Sequence, residues 1–266
     1  MMAEPSGAHR GVRGVAPPGA TSIGFMPPVA VVIPAYNEAE RIGETVTAAL
    51  SLPGVDVVVV ASDGSTDATV RHARDAGATV WRSPRNQGKA AAMLAGAAAV
   101  RRADQRDPAD GPRHLLFLDA DLGRTAANAS PLIEPVARGS ADVTTAVFTN
   151  RVKRGGHGFV VRLAGAGIRR ATGWTPAQPL NGQRCLTRAA FDAACPLACR
   201  FGVETAMIID LKRKGLRIAE VEVDMAHRAT GTDLASQLHR ARQFVDVACA
   251  LATRVVPRAG DASNLE

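Results

Sequence analysis

Aromatic side chains are scarce in this sequence of 266 residues, at 4% of the total with a single tyrosine. Proteins that bind nucleic acids usually combine basic patches with aromatic side chains that stack on the bases. The composition therefore predicts no nucleic-acid partner, although the formal net charge is +7. A charge of this sign fits another anionic partner, such as a nucleotide, a phosphorylated substrate or an acidic membrane surface.

Long apolar stretches are also absent. No run reaches the roughly 18 residues that a membrane-spanning helix requires, and residues 1–24 lack the apolar segment of a secretory signal peptide. We therefore expect a cytoplasmic protein, and the sequence leaves open a position at the inner face of the membrane. Hydrophobic residues at 46% and charged residues at 21% are typical of a globular chain with a sizeable core.

The cysteines show no metal-binding or redox pattern. None belongs to a Cys-x-x-Cys pair, and Cys195 and Cys199 lack the partners that a zinc site needs. We expect these two, together with Cys185 and Cys249, to be reduced and mostly buried, as is usual for free cysteines in a cytosolic protein.

Four short apolar runs are predicted to be strands buried on both faces, as in a parallel sheet. They cover residues 29–33, 55–61, 78–81 and 115–118. Helical patterns lie between them, and this alternation indicates βαβ units in a doubly wound sheet. Later segments are predicted to be helical at 206–214 and 233–255, a strand at 218–223, and loops at 101–113 and 151–158.

Polar clusters follow each of the four predicted strands. In open α/β sheets, ligands bind beyond the carboxyl ends of the strands, so we expect the clusters to converge on one cleft. They are residues 34–38, 62–67, 86–89 and 119–121.

Asp119 and Asp121 end the apolar stretch LLFLDADL. Two like charges this close repel each other, and removing them from water costs free energy. Carboxylate oxygens are preferred ligands of Mg²⁺ and similar cations. The pair therefore predicts a divalent metal, Mg²⁺ or Mn²⁺, that bridges to a diphosphate.

Residues 86–89 place a glycine and a lysine before a helix, where free N–H groups and an ammonium suit a phosphate. The chain contains no GxxxxGK[ST] phosphate loop and no GxGxxG motif after the first strand. Two plainer interpretations stay open. Lys89 would then be a solvated residue after a turn, and Asp63 would cap the helix that follows the second strand.

Four segments, in this order, resemble the family 2 glycosyltransferases: VVIPAYNEAERI, SDGSTDAT, NQGKAAAM and LFLDADLG. The resemblance implies a GT-A fold, that is, a mixed, mostly parallel sheet flanked by helices, and a nucleotide-diphosphate sugar as donor. The later segments LNGQRCLTRAAF, FGVETAMIIDL and VDMAHRATGTDLASQLHRARQ resemble the soluble branch with glucosyl-3-phosphoglycerate synthase and related polyprenyl-phosphate glycosyltransferases.

The resemblance implies roles for the residues of the predicted cleft. It places Asp63 at the base or ribose, Lys89 at the base or its surroundings, and Asp119 at ribose or sugar hydroxyls. Asp121 would bind the metal, with His227 as a second ligand. The residues that would line the nucleotide pocket are Pro34, Tyr36 and Glu38.

The acceptor side is predicted from the second half of the chain. Glu204 begins a helix and is either a general base, an orienting group, or a carboxylate that favours the helix dipole. Gly182 lies in the segment expected to cover the cleft. Arg184 is either a contact to a substrate anion or a structural ion-pair partner. Arg228 is predicted to help clamp a phosphate.

These residues predict an inverting, metal-dependent glycosyltransferase. The donor would be UDP- or GDP-linked, and the acceptor would be phosphorylated, as 3-phosphoglycerate or a polyprenyl phosphate is. Two alternatives stay open: a sugar-phosphate nucleotidyltransferase, although PAYNEAERI replaces the glycine-rich signature of that class, and a non-catalytic nucleotide-sugar-binding protein.

The predicted domain organisation has one catalytic domain with appendages. Residues 27–232 form the GT-A domain, with a nucleotide-sugar-binding half at 27–123 and an acceptor half at 124–232. Residues 233–258 form an amphipathic helix. We expect it to pack on the domain, whereas its basic residues leave open a peripheral contact with an anionic membrane. Residues 1–26 and 259–266 are predicted to be tails, and the sequence leaves open a homodimer.

Overall fold

The computed structural model describes residues 27–107, 111–149, 158–226 and 234–255. In these ranges the strands form a single mixed sheet with helices on both faces. The strands are β1 (Val29–Ala35), β2 (Val55–Asp63), β3 (Thr79–Ser83), β4 (His114–Phe117), β5 (Val143–Phe148), β6 (Arg184–Leu186) and β7 (Ile218–Val223).

Eight α-helices and two short 3-10 helices accompany the sheet in the described ranges. The α-helices are α1 (Ile42–Leu50), α2 (Thr69–Asp75), α3 (Lys89–Arg106), α4 (Ser130–Ala137), α5 (Phe159–Thr172), α6 (Arg188–Ala194), α7 (Val203–Arg213) and α8 (Leu234–Val255). The 3-10 helices are Gly123–Ala129 and Arg200–Gly202. None of the described helices is both long enough and apolar enough to cross a membrane.

The strand order is β3-β2-β1-β4-β6-β5-β7. β6 runs antiparallel to both of its neighbours, whereas the other pairs are parallel. This confirms the predicted fold class, a mixed and mostly parallel sheet flanked by helices. The start of β6 therefore lies at the same edge as the carboxyl ends of the parallel strands.

Successive side chains of β1 point to opposite faces of the sheet and contribute to the apolar core on both. Val31 and Ile33 pack into the layer under α1 and α4, and Val32 packs into the layer under α3 and α7. All three are fully buried. A continuous apolar strand is thus explained by a sheet covered on both sides.

The second half of α8 packs against α5 and α7, as the sequence analysis expected. Val247 and Leu251 belong to an apolar cluster with Ala164, Ile168 and Ile209. The contact is close, because a Cβ atom on Gly167 would lie 2.3 Å from Leu251 Cδ2.

The prediction of a loop at 101–113 is wrong for residues 101–106, because α3 continues to Arg106. The polar residues there attach the helix to the body of the protein. Asp104 accepts from Arg113 Nη1 and Arg188 Nη2, each at 2.9 Å. Arg113 also pairs with Asp56 at the start of β2. The predicted loop at 151–158 falls almost entirely outside the described residues.

Several elements were not predicted: β5, β6, α5 and α6. β5 contains two adjacent threonines, and Thr144 is buried because its hydroxyl donates to Leu132 O at 2.6 Å. β6 has only three residues and includes an arginine. Neither segment is a continuous apolar run, which is the pattern by which β1, β2 and β4 were predicted.

The expectation that the cysteines are mostly buried is wrong for two of them. All four are free, but Cys199 and Cys249 are exposed. Cys199 directly precedes the 3-10 helix at 200–202, and Cys249 lies between the packed Val247 and Leu251 of α8, turned away from the apolar cluster.

We expect Gly96→Ala to destabilise the protein, because a Cβ atom at this position would lie 2.3 Å from Val32 Cγ1 in the centre of the sheet. Forcing an extra methyl group into a packed core typically costs about 1–3 kcal/mol. Gly165→Ala is the matched control, since no atom lies within 4 Å of its added Cβ. It should gain up to about 1 kcal/mol from helix propensity. Urea unfolding measures both, and equal midpoints for the two variants would contradict the packing argument.

Candidate active site

The polar clusters predicted from the sequence meet at the carboxyl edge of the sheet. The register pairs Phe117 of β4 with Arg184 of β6. Asp119 lies two residues after Phe117, and Gly182 lies two residues before Arg184. Because the two strands are antiparallel, Asp119 and Gly182 therefore lie side by side. Gly182 is therefore brought to the cleft by the direction of β6.

Three charged side chains from three different segments form the centre of this edge. Lys89 Nζ lies 2.8 Å from Asp119 Oδ1 and 2.8 Å from Glu204 Oε1. Lys89 begins α3, Asp119 follows β4, and Glu204 lies in the first turn of α7. The Glu204 side chain is 7% exposed, whereas those of Lys89 and Asp119 are 21% and 24% exposed. We call these three residues the charged triad.

The two acidic side chains of the triad stabilise the protonated form of Lys89. Burial lowers the pKa of the Lys89 ammonium, but the carboxylates of Asp119 and Glu204 outweigh burial and raise it above its usual value. Lys89 therefore stays protonated between the two acidic side chains. The plainer interpretation of Lys89 as a solvated lysine is wrong, because its ammonium is held between two carboxylates.

Gly182 lies directly over the pair formed by Lys89 and Asp119. A Cβ atom on Gly182 would come within 2.5 Å of Lys89 Nζ and 3.1 Å of Asp119 Oδ1. Any larger residue would have to displace the ammonium. The absence of a side chain at 182 is what leaves room for the triad.

Arg184 is 1% exposed and lies on the same face of the sheet as its cross-strand partner Phe117, towards α7. Its Nη2 donates to Asn181 O at 2.6 Å, and its Nη1 approaches Met207 Sδ at 3.3 Å. Burial lowers the pKa of this guanidinium, and the nearby carboxylates of Glu204 and Asp119 act in the opposite direction. Its contacts within the described residues are with a backbone carbonyl and a thioether, its Nε has no hydrogen-bond partner, and its role toward a substrate anion stays a prediction.

Asp63 holds the turn that carries Lys89. Its carboxylate accepts from Gln87 N at 2.9 Å and from Gly88 N at 2.6 Å, and it is 3% exposed. It therefore does not cap α2, the helix after its own strand, but the turn before α3. Gly64 allows the close approach, since its Cβ would lie 2.6 Å from Asn86 N and its φ is +79°. The predicted contact of Asp63 with a base or ribose stays a prediction.

The turn after β1 is tied to the turn after β2 by side chains of the latter. The backbone N–H of Asn37 donates to Ser65 Oγ at 3.1 Å, and the backbone N–H of Glu38 donates to Thr69 Oγ1 at 2.8 Å. These N–H groups are thus occupied by the protein. Pro34 and Glu38 are half-buried beside them and Tyr36 is 50% exposed, and their role in a nucleotide pocket stays a prediction.

The turn that contains Asp121 is fixed by two residues of the first helical segment that the sequence analysis missed. Thr45 Oγ1 donates to Ala120 O at 2.9 Å and accepts from Gly123 N at 2.8 Å. Arg41 Nη1 donates to Asp121 O at 3.2 Å. No sequence signal marks Thr45, because a threonine inside a helix usually has no partner outside it.

The described residues contain no group of three or more histidine, cysteine, aspartate or glutamate side chains that could hold a metal ion. His227 and Arg228, predicted to bind metal and phosphate, lie outside the described residues. The preceding Ala226 lies beside the turn after Asp121, because its N–H donates to Thr125 Oγ1 at 3.3 Å. Ala226, the last described residue before His227, is therefore attached to the 3-10 helix that follows Asp121.

We expect Thr45→Val to destabilise the protein by about 1–3 kcal/mol, because it leaves the buried Gly123 N–H without an acceptor. Thr47→Val on the same helix is the control, since Thr47 is exposed and bonds only within the helix. Thermal unfolding measures both. A Thr45→Val protein as stable as the control would show that this turn does not depend on the threonine.

Comparison with known proteins agrees with this geometry. The sequence model of the family described as Glycosyl transferase family 2 matches residues 30–202. The glycosyltransferase AglJ of Haloferax volcanii is 30% identical over 210 residues. The match spans 77% of this chain and 65% of the length of that relative.

The fold is similar to that of glucosyl-3-phosphoglycerate synthase from Mycobacterium tuberculosis. In its complex with Mn²⁺, UDP and phosphoglyceric acid, the TM-score is 0.69 and the identity 25%, over 88% of this chain and 80% of that one. Its complex with Mg²⁺ and UDP gives a TM-score of 0.68 and 26% identity, over 88% and 81% of the two chains. The chain therefore belongs to glycosyltransferase family 2 and has the GT-A fold.

Proposed function

We propose that the protein transfers a sugar from a UDP-linked donor to a phosphorylated acceptor, with inversion at the anomeric carbon. The observation that carries the proposal is the charged triad beneath Gly182, at the edge of the sheet where ligands of α/β proteins bind. The similar synthase structures contain UDP and phosphoglyceric acid, which supports a uridine donor and a small phosphorylated acid as the first acceptor to test.

A divalent cation fits the carboxylates at this edge. We assign Asp121 to Mg²⁺ or Mn²⁺, with His227 as the second protein ligand, because the segments LFLDADLG and VDMAHRATGTDLASQLHRARQ carry the family resemblance that implies these roles. Oxygen ligands suit both ions, and the similar synthase structures hold Mn²⁺ or Mg²⁺ with UDP. The ion would stabilise the negative charge that develops on the leaving diphosphate.

The residues of the chain position the reactants. Glu204 is held by Lys89, and its carboxylate is fixed where it can accept a hydrogen bond from a sugar or acceptor hydroxyl. An acceptor phosphate is already an anion and needs no general base, so we assign Glu204 an orienting role. A single displacement by the acceptor oxygen requires no enzyme nucleophile, and the enzyme contributes alignment and electrostatic stabilisation.

Product analysis separates this function from its alternatives. Incubation with UDP-glucose, 3-phosphoglycerate and Mn²⁺ should release UDP. Release of pyrophosphate from a sugar phosphate and UTP would identify a nucleotidyltransferase instead. An intact donor after long incubation with each class of phosphorylated acceptor would favour a binding protein.

We expect Asp121→Ala to lower kcat by a factor of about 10²–10³ or more, because it removes a group that holds charge stabilisation at the leaving group. It should also weaken Mn²⁺ binding in a calorimetric titration with UDP present. Asp192→Ala is the control, since Asp192 pairs with Arg101 at the protein surface. Full activity of Asp121→Ala without added metal would contradict the assignment.

Gly182→Ala should reduce activity strongly and lower the unfolding temperature as well. The added methyl group meets Lys89 Nζ, the flexible end of a long side chain, so the ammonium moves and the triad is disrupted. Misplacing catalytic groups by about 1 Å can cost about 10²-fold in rate. The assay is kcat beside the unfolding temperature, with Gly165→Ala as the control. Wild-type kcat in Gly182→Ala would show that the triad geometry is not required.

A further inference from the structure

Arg200 adopts a backbone conformation that its residue type disfavours. Its φ is +52°, in the left-handed region, where a Cβ atom crowds the following carbonyl oxygen. Among the described residues other than glycine, only Asn37 also has a positive φ. Asparagine tolerates this region well, and the Asn37 side chain accepts from Thr66 N at 2.9 Å. Arg200 has neither advantage.

Arg200 is close to two residues of the charged triad, to Glu204 along the chain and to Lys89 through a contact with Gly88. It begins the 3-10 helix that leads directly into α7, four residues before Glu204. Its side chain lies across Gly88, since a Cβ atom there would be 3.2 Å from Arg200 Cγ. Gly88 directly precedes Lys89 and is held by Asp63. The strained residue therefore lies at the rim of the cleft, where the two halves of the domain meet.

The guanidinium of Arg200 is exposed and, within the described ranges, forms no ion pair with a carboxylate. Other arginines of the fold do have such partners, among them Arg113, Arg188, Arg217 and Arg254. Because the side chain of Arg200 crosses Gly88, next to Lys89 of the triad, this cation lies at the edge of the sheet where a phosphate-bearing substrate would bind. A guanidinium can bind phosphate oxygens through two parallel N–H bonds.

We propose that Arg200 is a phosphate-binding residue at the rim of the active site, and that its backbone strain is retained for this contact. Strained residues persist where the surrounding structure enforces them, and they cluster at ligand-binding sites. The inference rests on the proposed function, because it adds a substrate contact to the same site. The phosphate belongs either to the donor diphosphate or to the acceptor, and the experiment distinguishes the two.

Three variants separate charge from strain. Arg200→Gln keeps the aliphatic stem over Gly88 and removes the charge. Arg200→Gly removes both the side chain and the strain. Arg200→Lys keeps a charge but not the planar fork. Arg138→Gln is the control, because Arg138 is exposed and follows α4, at the opposite edge of the sheet.

KM is measured separately for UDP-glucose and 3-phosphoglycerate, together with kcat and the unfolding temperature without ligand. We expect KM for one of the two substrates to rise about tenfold or more in the Gln and Gly variants, as for a lost charged hydrogen bond. The change in kcat should be smaller, and Arg200→Lys should recover part of the loss. The Gly variant should be at least as heat-stable as the wild type. The substrate whose KM rises identifies the phosphate that Arg200 binds.

Unchanged KM values for both substrates in Arg200→Gln would overturn the role of Arg200, whatever the stability of the Gly variant. If the wild type transfers no sugar, the proposed function fails, and Arg200 is then tested by binding. The increase in unfolding temperature with UDP or 3-phosphoglycerate should be smaller in Arg200→Gln than in the wild type. Equal increases with both compounds would overturn the inference independently of turnover.

Discussion

The ion pairs of Lys89 with Asp119 and Glu204 are the interaction on which the candidate site depends. They join a helix start, a strand end and a second helix start that are far apart in the chain. Removing one partner would leave a largely buried charge without compensation, which is much more costly than the net gain from forming the pair. The surrounding structure is accordingly built to keep the three side chains together, through Asp63 beneath the Lys89 turn and Gly182 above it.

Charge organises the two edges of the sheet in different ways. At the amino-terminal edge, Arg113 and Arg188 are matched by Asp56 and Asp104, so this network is nearly neutral within the protein. At the carboxyl edge, Lys89 is shared between Asp119 and Glu204, the buried Arg184 interacts with the same two residues, and Arg200 is exposed. Paired charges stabilise the amino-terminal edge, whereas at the carboxyl edge the exposed Arg200 forms no ion pair within the described residues and is the group proposed above to bind phosphate. This difference is the physical reason for placing function at the carboxyl edge.

Part of the fold and of the site could be predicted before the structure was known. The strands β1, β2 and β4 are continuous apolar runs, and the motifs after them carry a family resemblance that the comparisons confirm. The residues of the triad were all named from the sequence, but their mutual contacts were not. Thr45 and Arg41 were missed because their contacts reach across the fold to the Asp121 turn. Arg200 was missed because backbone strain leaves no mark in an amino-acid pattern.

Taken alone, the sequence determined the α/β class, the parallel strands around β1 and the chemical character of the strand ends, because local hydrophobic runs and turn residues encode these features directly. Only the tertiary structure decided that β6 runs antiparallel between β4 and β5. That direction places Gly182 against Asp119 and buries Arg184 beside α7. A three-residue strand has too little pattern of its own to specify its direction, so its neighbours in the sheet and the packing of α7 specify it instead.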